Sequence, residues 1–256
     1  MTRGDEALKL ENRTVLLTGA GRGIGRELTR QLIAAGAEVI AVGRDRDHLA
    51  ALVADHGNRV HPWPVDLTDA GAVDVLVSEV TVRHPNLSAV INNAGVQTLT
   101  DLLHDDAQTL SQTLRREIAV NLDAVIALSI GLLPHLRQQH SAAIVNVTSG
   151  LALAPKRSAP VYCATKAAVR TFTRGLRYQC RTAAPTVRVT DAVMALVDTD
   201  MTRGRGRGKI SARAAASEVI DGMRRGRDEI YIGNVKVLRA LMRISPALGY
   251  RILRDG

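Results

Sequence analysis

Short apolar runs alternate along this chain with longer stretches in which apolar residues recur at helical spacing. The run TVLLTGA, Thr14 to Ala20, is almost wholly apolar and closes on a glycine, which predicts a buried strand. GIGRELTRQLIAAGA follows with apolar positions on one helical face and a glycine near its end, which predicts a helix. The order then repeats: EVIAVG predicts a strand, Asp45 to His56 a helix, RVHPWPVDL a strand, Asp69 to His84 a helix and LSAVINNAG a strand. Two helical stretches come next, about Asp105 to Ile118 and Val120 to Gln139, and then the strand AAIVNVTSG. A long helix from Val161 to Arg181, a sixth strand TVRVTDAVM, a helix from Ala212 to Arg225 and a short seventh strand EIYIG complete the series. Strands separated by helices need right-handed crossovers and form a parallel sheet. The expected fold is therefore α/β and Rossmann-type: a doubly wound, seven-stranded parallel sheet with helices on both faces.

Composition adds limits to that picture. A chain of 256 residues with 46% hydrophobic content and no low-complexity tract is expected to form one domain over residues 1–256. Two cysteines, Cys163 and Cys180, and the polar start MTRGDEALKLENR predict reduced thiols and a cytoplasmic location. No uninterrupted apolar run approaches the roughly 18 residues that cross a bilayer, so no membrane span is expected. The tail KVLRALMRISPALGYRILRDG is basic and amphipathic, interrupted by Pro246 and Gly249, and is expected to pack on the subunit or a neighbour.

The formal charge of +9 raises nucleic acid as a partner. Only five of the 34 basic residues are lysine, a bias that GC-rich codons explain, and aromatic residues make up 2%, too few to stack bases. Nucleic-acid binding is not expected. The seven histidines lack metal-ligand spacing, and no metal is expected.

Candidate chemistry lies in two places. In TGAGRGIG, glycines Gly19, Gly23 and Gly25 fall between the first strand and the first helix, where a backbone stripped of side chains and a helix dipole favour a pyrophosphate. In VYCATK, Tyr162 precedes Lys166 by one helical turn, so a fixed ammonium faces a phenol whose ordinary pKa is near 10 and is expected to lower that pKa by favouring the phenolate. Cys163 is turned about 100° away along the helix and has no histidine partner close in sequence, which argues against a nucleophile.

These two motifs, with NNAG ending at Gly95 and NVTSG ending at Ser149 and Gly150, resemble the short-chain dehydrogenase/reductase family, in family order from about Asn12 to Gly233. The resemblance implies an oxidoreductase with Tyr162 as acid or base, Lys166 as its charged neighbour, Ser149 orienting the substrate oxygen and Asn121 holding a water that joins Lys166 to solvent. It implies nucleotide contacts from Gly19, Gly23, Ile24 and Gly25, from Asp66 to the adenine, and from Asn93, Ala94 and Gly95 to the ribose. Where NAD-preferring relatives carry an acid after the second strand, this chain has Gly43 followed by Arg44. With Arg22 in the glycine loop, that implies NADP(H), although Asp45 lies beside them.

Val197 and Thr199 match family contacts to the nicotinamide carboxamide, while Met194 and Ala195 replace the usual Pro-Gly pair; Met194 is expected simply to pack. The implied reaction is ketone reduction to a secondary alcohol, or the reverse, on a mainly apolar small molecule, with a natural-product intermediate as a plausible substrate. Alternatives are an epimerase or dehydratase at the same site, or a non-catalytic NADPH-binding regulator. Residues 199–212, with Arg203, Arg205 and Arg207, are expected to form a lid, and residues 234–256 a tail. A homodimer or homotetramer is expected.

Overall fold

The computed structural model describes residues 8–206 and 208–255; Arg207 of the expected lid and the first seven residues lie outside the described residues. Seven strands form one sheet: β1 (Thr14–Thr18), β2 (Glu38–Gly43), β3 (Val60–Pro64), β4 (Leu87–Asn92), β5 (Ala142–Ser149), β6 (Val187–Met194) and, last in the chain, β9 (Glu229–Tyr231). Their order across the sheet is β3-β2-β1-β4-β5-β6-β9, and every pairing is parallel. The order reverses between β1 and β4, which opens a crevice at the carboxyl ends of those strands. The expected architecture is what the chain adopts.

Helices α1 (Gly23–Ala34), α2 (Arg46–His56) and α7 (Ala212–Arg224) cover one face; α3 (Ala70–Arg83), α5 (Ala124–Leu136) and α6 (Pro160–Ala183) cover the other. The central strands are apolar on both sides because helices bury both. Thus Val15 and Leu17 belong to one core cluster and Leu16, one residue between them, to the other. The third expected strand is shorter than RVHPWPVDL suggests. It stops at Pro64, and its two prolines are tolerated because β3 is an edge strand, where a missing N–H breaks no ladder.

The helices α4 (Ala107–Ile118) and α5 are joined without a break by a five-residue π-helical turn, Ala119–Asp123. Residues 107–136 therefore form one helical run, long and apolar enough by length and composition to cross a membrane, although Asn121, Asp123, Pro134 and His135 interrupt its apolar sequence. In this fold its apolar face is core: Leu128, Leu132 and Leu136 are fully buried against the sheet and α3. The tail forms α8 (Val235–Ile244) and α9 (Pro246–Arg254). Pro246 starts the second helix rather than only ending the first. Gly249 does not interrupt it; the missing side chain lets α9 lie on Met242 of α8.

Candidate active site

The turn from β1 into α1 makes the floor of the crevice. Gly19 and Gly23 have φ of +66° and +53°, a backbone region that favours glycine. A Cβ on Gly25 would run into the Gly19 carbonyl, so the helix can approach the turn this closely only with glycine there. Arg22 caps α1 without any side-chain hydrogen bond, which leaves the first N–H groups of the helix facing the crevice. That cradle fits a pyrophosphate, and Gly19, Arg22, Gly23, Ile24 and Gly25 all line it.

At the next strand end, Gly43, Arg44 and Asp66 also line the cleft. Asp45 is spent on the helix behind it: its carboxylate accepts from Asp47 N and His48 N at 3.0 and 3.1 Å, and those bonds, with His48 and Arg22 nearby, hold its pKa below the usual carboxylate range. The Asp66 carboxylate accepts from Thr68 N at 3.0 Å. Arg116 stands 3.7 Å from Asp66 and, with His48, lines the same cleft; neither stood out in the sequence. Arg116 comes from α4, far along the chain, so only the tertiary fold reveals it.

Asn93, Ala94 and Gly95 form the opposite wall. The Thr18 hydroxyl accepts from both Asn93 N and Ala94 N at 3.0 Å, and Asn93 Nδ2 donates to Thr18 O at 3.0 Å, which locks the end of β4 to the end of β1. A Cβ on Gly95 would meet Asn121 Oδ1 and Lys166 Nζ at 3.4 and 3.5 Å, so the wall ends beside the chemical residues.

Those residues converge. Ser149 ends β5, where its hydroxyl accepts from Leu151 N at 3.1 Å and stands beside the Tyr162 phenol. Lys166, 3% exposed, sits one turn behind Tyr162 on α6; its Nζ lies 5.8 Å from the centroid of the tyrosine ring and donates to Val147 O at 2.9 Å. Asn121 lies in the π-helical turn. Its amide donates to Val96 O at 2.8 Å and accepts from Val96 N at 2.9 Å, which pins the segment that leads away from Gly95. A π-turn widens the helix locally and aims such a side chain outward, a common use of that geometry.

The electrostatics differ from the sequence argument. Spacing alone led us to expect that Lys166 lowers the phenol's pKa. Instead burial pushes Tyr162 up to about 12, with the neighbouring Ser149 hydroxyl acting the other way, because the desolvation that spacing does not reveal outweighs a lysine turned toward Val147. Burial likewise pushes Lys166 down to about 8, against Asp191 and Glu117, which favour its charged form. At neutral pH the protein by itself holds a protonated phenol beside an ammonium.

Glu117, which the sequence reading passed over, is the buried residue of α4; one carboxylate oxygen accepts from Thr98 N at 3.0 Å and the other has no partner. Burial raises its pKa. Its signal was faint: a glutamate four residues ahead of Asn121, on the same helical face. Cys163 points away as expected; its sulfur accepts from Lys156 N at 3.3 Å, and burial pushes its thiol up.

Beyond β6 the chain keeps its course despite losing the Pro-Gly pair. Met194 pairs in register with Ser149 and packs into the core, as expected, and β7 (Val197–Asp198) follows after two residues. The Val197 side chain packs in the core, and its carbonyl accepts from Thr202 Oγ1 at 2.5 Å. Thr199 lines the cleft and packs close to Gly23. The segment after it is tied at its base by β7 pairing with β8 (Ile210–Ser211), and Arg205 reaches over to donate to Gln97 Oε1 at 2.8 Å. Among the described residues no group of three or more metal-ligating side chains occurs.

A crevice at the reversal point of a parallel sheet, a glycine cradle on a helix amino terminus and a Ser-Tyr-Lys cluster beside it define a dinucleotide-dependent oxidoreductase. The sequence matches the short chain dehydrogenase family over residues 13–209, and the chain belongs to that family. It is 37% identical over 238 residues to the uncharacterized oxidoreductase DltE of Bacillus subtilis (strain 168), covering 91% of this chain and 92% of that one. A short chain dehydrogenase from Burkholderia cenocepacia J2315, solved in complex with NADP, superposes with a TM-score of 0.83 at 30% identity, covering 97% of this chain and all of that one. A Burkholderia phymatum relative solved with NAD superposes at 0.81 with 21% identity, over 93% of this chain and 96% of that one, a likeness of fold alone.

Proposed function

We propose that this protein is an NADP(H)-dependent reductase that converts a ketone on a mainly apolar small molecule to a secondary alcohol. The observation that carries the reading is the protonated Tyr162 phenol, with Ser149 beside it and the Lys166 ammonium behind it, next to a cradle that fits a pyrophosphate. A reduced nicotinamide supplies the hydride when bound. Ser149 and Tyr162 then hold the substrate oxygen between them, and Tyr162 gives it a proton as negative charge develops there. A phenol held protonated well above neutral pH is the form reduction needs. Lys166 stands one turn behind to restore the balance of charge, and Asn121 fixes the wall at Val96 so that Gly95 stays close to both.

Preference for the phosphorylated dinucleotide rests on Arg22 and Arg44 lining the cleft, on Gly43 offering no acid to repel a 2′-phosphate, and on Asp45 being engaged by α2. The NADP bound by the Burkholderia cenocepacia relative agrees with it. An apolar substrate accords with Leu99, Leu102 and Leu103, exposed on the segment that follows Gly95. In this reading the segment around Arg205 is the lid over the substrate. The test is NADPH oxidation with a panel of apolar ketones. Turnover should occur and should fall by at least about a hundredfold in Tyr162→Phe while NADPH still binds. No turnover of any ketone, or a Tyr162→Phe variant as fast as the parent, overturns it.

A further inference from the structure

Tyr162, Lys166 and Arg170 follow one another at intervals of four on α6 and so share one face of that helix. Three consecutive residues of β5 meet that face or the strand beside it. Val147 O accepts from Lys166, Thr148 Oγ1 donates to Asp191 Oδ1 of β6 at 2.5 Å, and Ser149 stands beside Tyr162. The other oxygen of Asp191 is paired with Arg170, which closes a ring running Lys166, Val147, Thr148, Asp191, Arg170 and back along one turn of α6. Arg170 is itself held from behind: its second nitrogen donates to Tyr231 Oη at 2.8 Å and to Glu229 at 3.0 Å, and Tyr231 O–H donates to Glu229 at 2.7 Å.

Asp191 is 1% exposed. Burying an ion pair costs several kcal/mol of desolvation per ion, and apolar residues of similar size commonly do as well or better for stability. The pair therefore calls for a reason other than packing. We propose that Asp191 and Arg170 are positioning residues for Lys166: together they anchor its helix turn to β5 and β6 and set the negative charge that its buried ammonium faces.

The charges around Lys166 are few enough to assign. Asp191 on β6 and Glu117 on α4 favour its charged form, Asp191 more strongly, and the phenol of Tyr162 lies on its own helix. Asp191 in turn faces Arg170 and Arg177 of α6 and Glu229 of β9. Removing the Asp191 charge takes away the largest influence keeping the lysine protonated. Burial raises the Asp191 pKa and the Arg170 cation is the largest influence holding that carboxyl ionised, so removing Arg170 favours the neutral acid and weakens the charge facing Lys166 as well. Arg170→Met and Arg170→Lys therefore separate charge from contact: both lose the guanidinium's bonds to Tyr231 and Glu229, but only Arg170→Met removes the cation that keeps Asp191 ionised.

The experiment follows the Lys166 ammonium directly. With five lysines in the chain, lysine labelled with carbon-13 at Cε gives a countable set of NMR signals, and the one lost in Lys166→Arg is that of Lys166. Titrated without added dinucleotide, Asp191→Asn and Arg170→Met should both lower the Lys166 midpoint. If Arg170→Met does not fold, Arg170→Lys, which keeps the charge, should leave the midpoint near that of the parent while Asp191→Asn still lowers it. In both charge-changing variants kcat should fall several-fold, with KM for NADPH changed less than about twofold, since neither residue lines the dinucleotide cleft. A midpoint unmoved by Asp191→Asn, or lowered as far by Arg170→Lys as by Arg170→Met, overturns the proposal. The kinetic arm rests on the reductase reading, but the titration does not, so a protein inactive on every ketone still decides the assignment of Asp191 and Arg170.

Discussion

The Lys166 ammonium lies 5.8 Å from the centre of the Tyr162 ring and gives its hydrogen bond to Val147 O, not to the phenol. This geometry makes the lysine the first of the pair to titrate as pH rises: burial has brought it down to about 8, whereas the phenol has been pushed up to about 12. Ketone reduction should therefore decline as pH rises through about 8, because the charge behind the phenol is lost while the phenol itself stays protonated. Lys166→Arg, whose guanidinium does not deprotonate in this range, should carry whatever activity it retains to higher pH. A pH profile of kcat for both proteins is the check, and a parent profile flat from pH 7 to 10 contradicts it.

The same displacement predicts a stability effect of defined sign. The lysine's folded pKa, about 8, is below its ordinary 10.5, so between those values the unfolded chain binds more protons than the folded one. Stability contributed by this group rises with pH across that window, and below about pH 8 the buried charge is a cost. Lys166→Met should stabilise the fold at pH 7, and the gain should shrink toward pH 10. Urea unfolding at the two pH values measures it; an equal difference at both would contradict the assignment.

How much of this was legible in the sequence depended on whether the signal was local. The seven strands and their parallel order follow from alternating apolar runs, and the glycine turn at Gly19 to Gly25 follows from residue type at a strand-helix junction. The Ser149, Tyr162 and Lys166 cluster was legible because motif spacing on β5 and α6 fixes it. What failed depended on distant contacts. Arg116 and Glu117 reach the site from α4 through the packing of that helix on the sheet. The sign of the Tyr162 shift was misread because desolvation depends on everything that surrounds the ring. The merging of two helices through the turn that holds Asn121 was hidden because a π-turn has no composition of its own.

The proposed preference for NADP(H) can be tested at one position. A Cβ on Gly43 would lie 3.5 Å from Leu49 Cδ2, an ordinary contact, so a side chain fits there without strain. Gly43→Asp adds a carboxylate where a 2′-phosphate would sit and an acceptor for ribose hydroxyls. The ratio of kcat/KM for NADPH over NADH should fall at least tenfold, equivalent to about 1.4 kcal/mol. An unchanged ratio would mean that the phosphate is read elsewhere.

Asn121 can be separated from its neighbours by exchanging one atom. Its Nδ2 donates to Val96 O at 2.8 Å while its Oδ1 accepts from Val96 N at 2.9 Å, and the residue is fully buried. Asn121→Asp keeps the acceptor but sets a second oxygen against the Val96 carbonyl, so a buried donor is replaced by a repulsive contact. The expected cost is about 1–3 kcal/mol of unfolding free energy at neutral pH. Part of it should return at low pH, where a protonated carboxyl can donate to Val96 O as the amide does. Because Val96 leads directly from Gly95, NADPH affinity should drop along with stability. A variant as stable as the parent at pH 7, with NADPH binding intact, would show that the link between Asn121 and Val96 is not what holds this wall of the site.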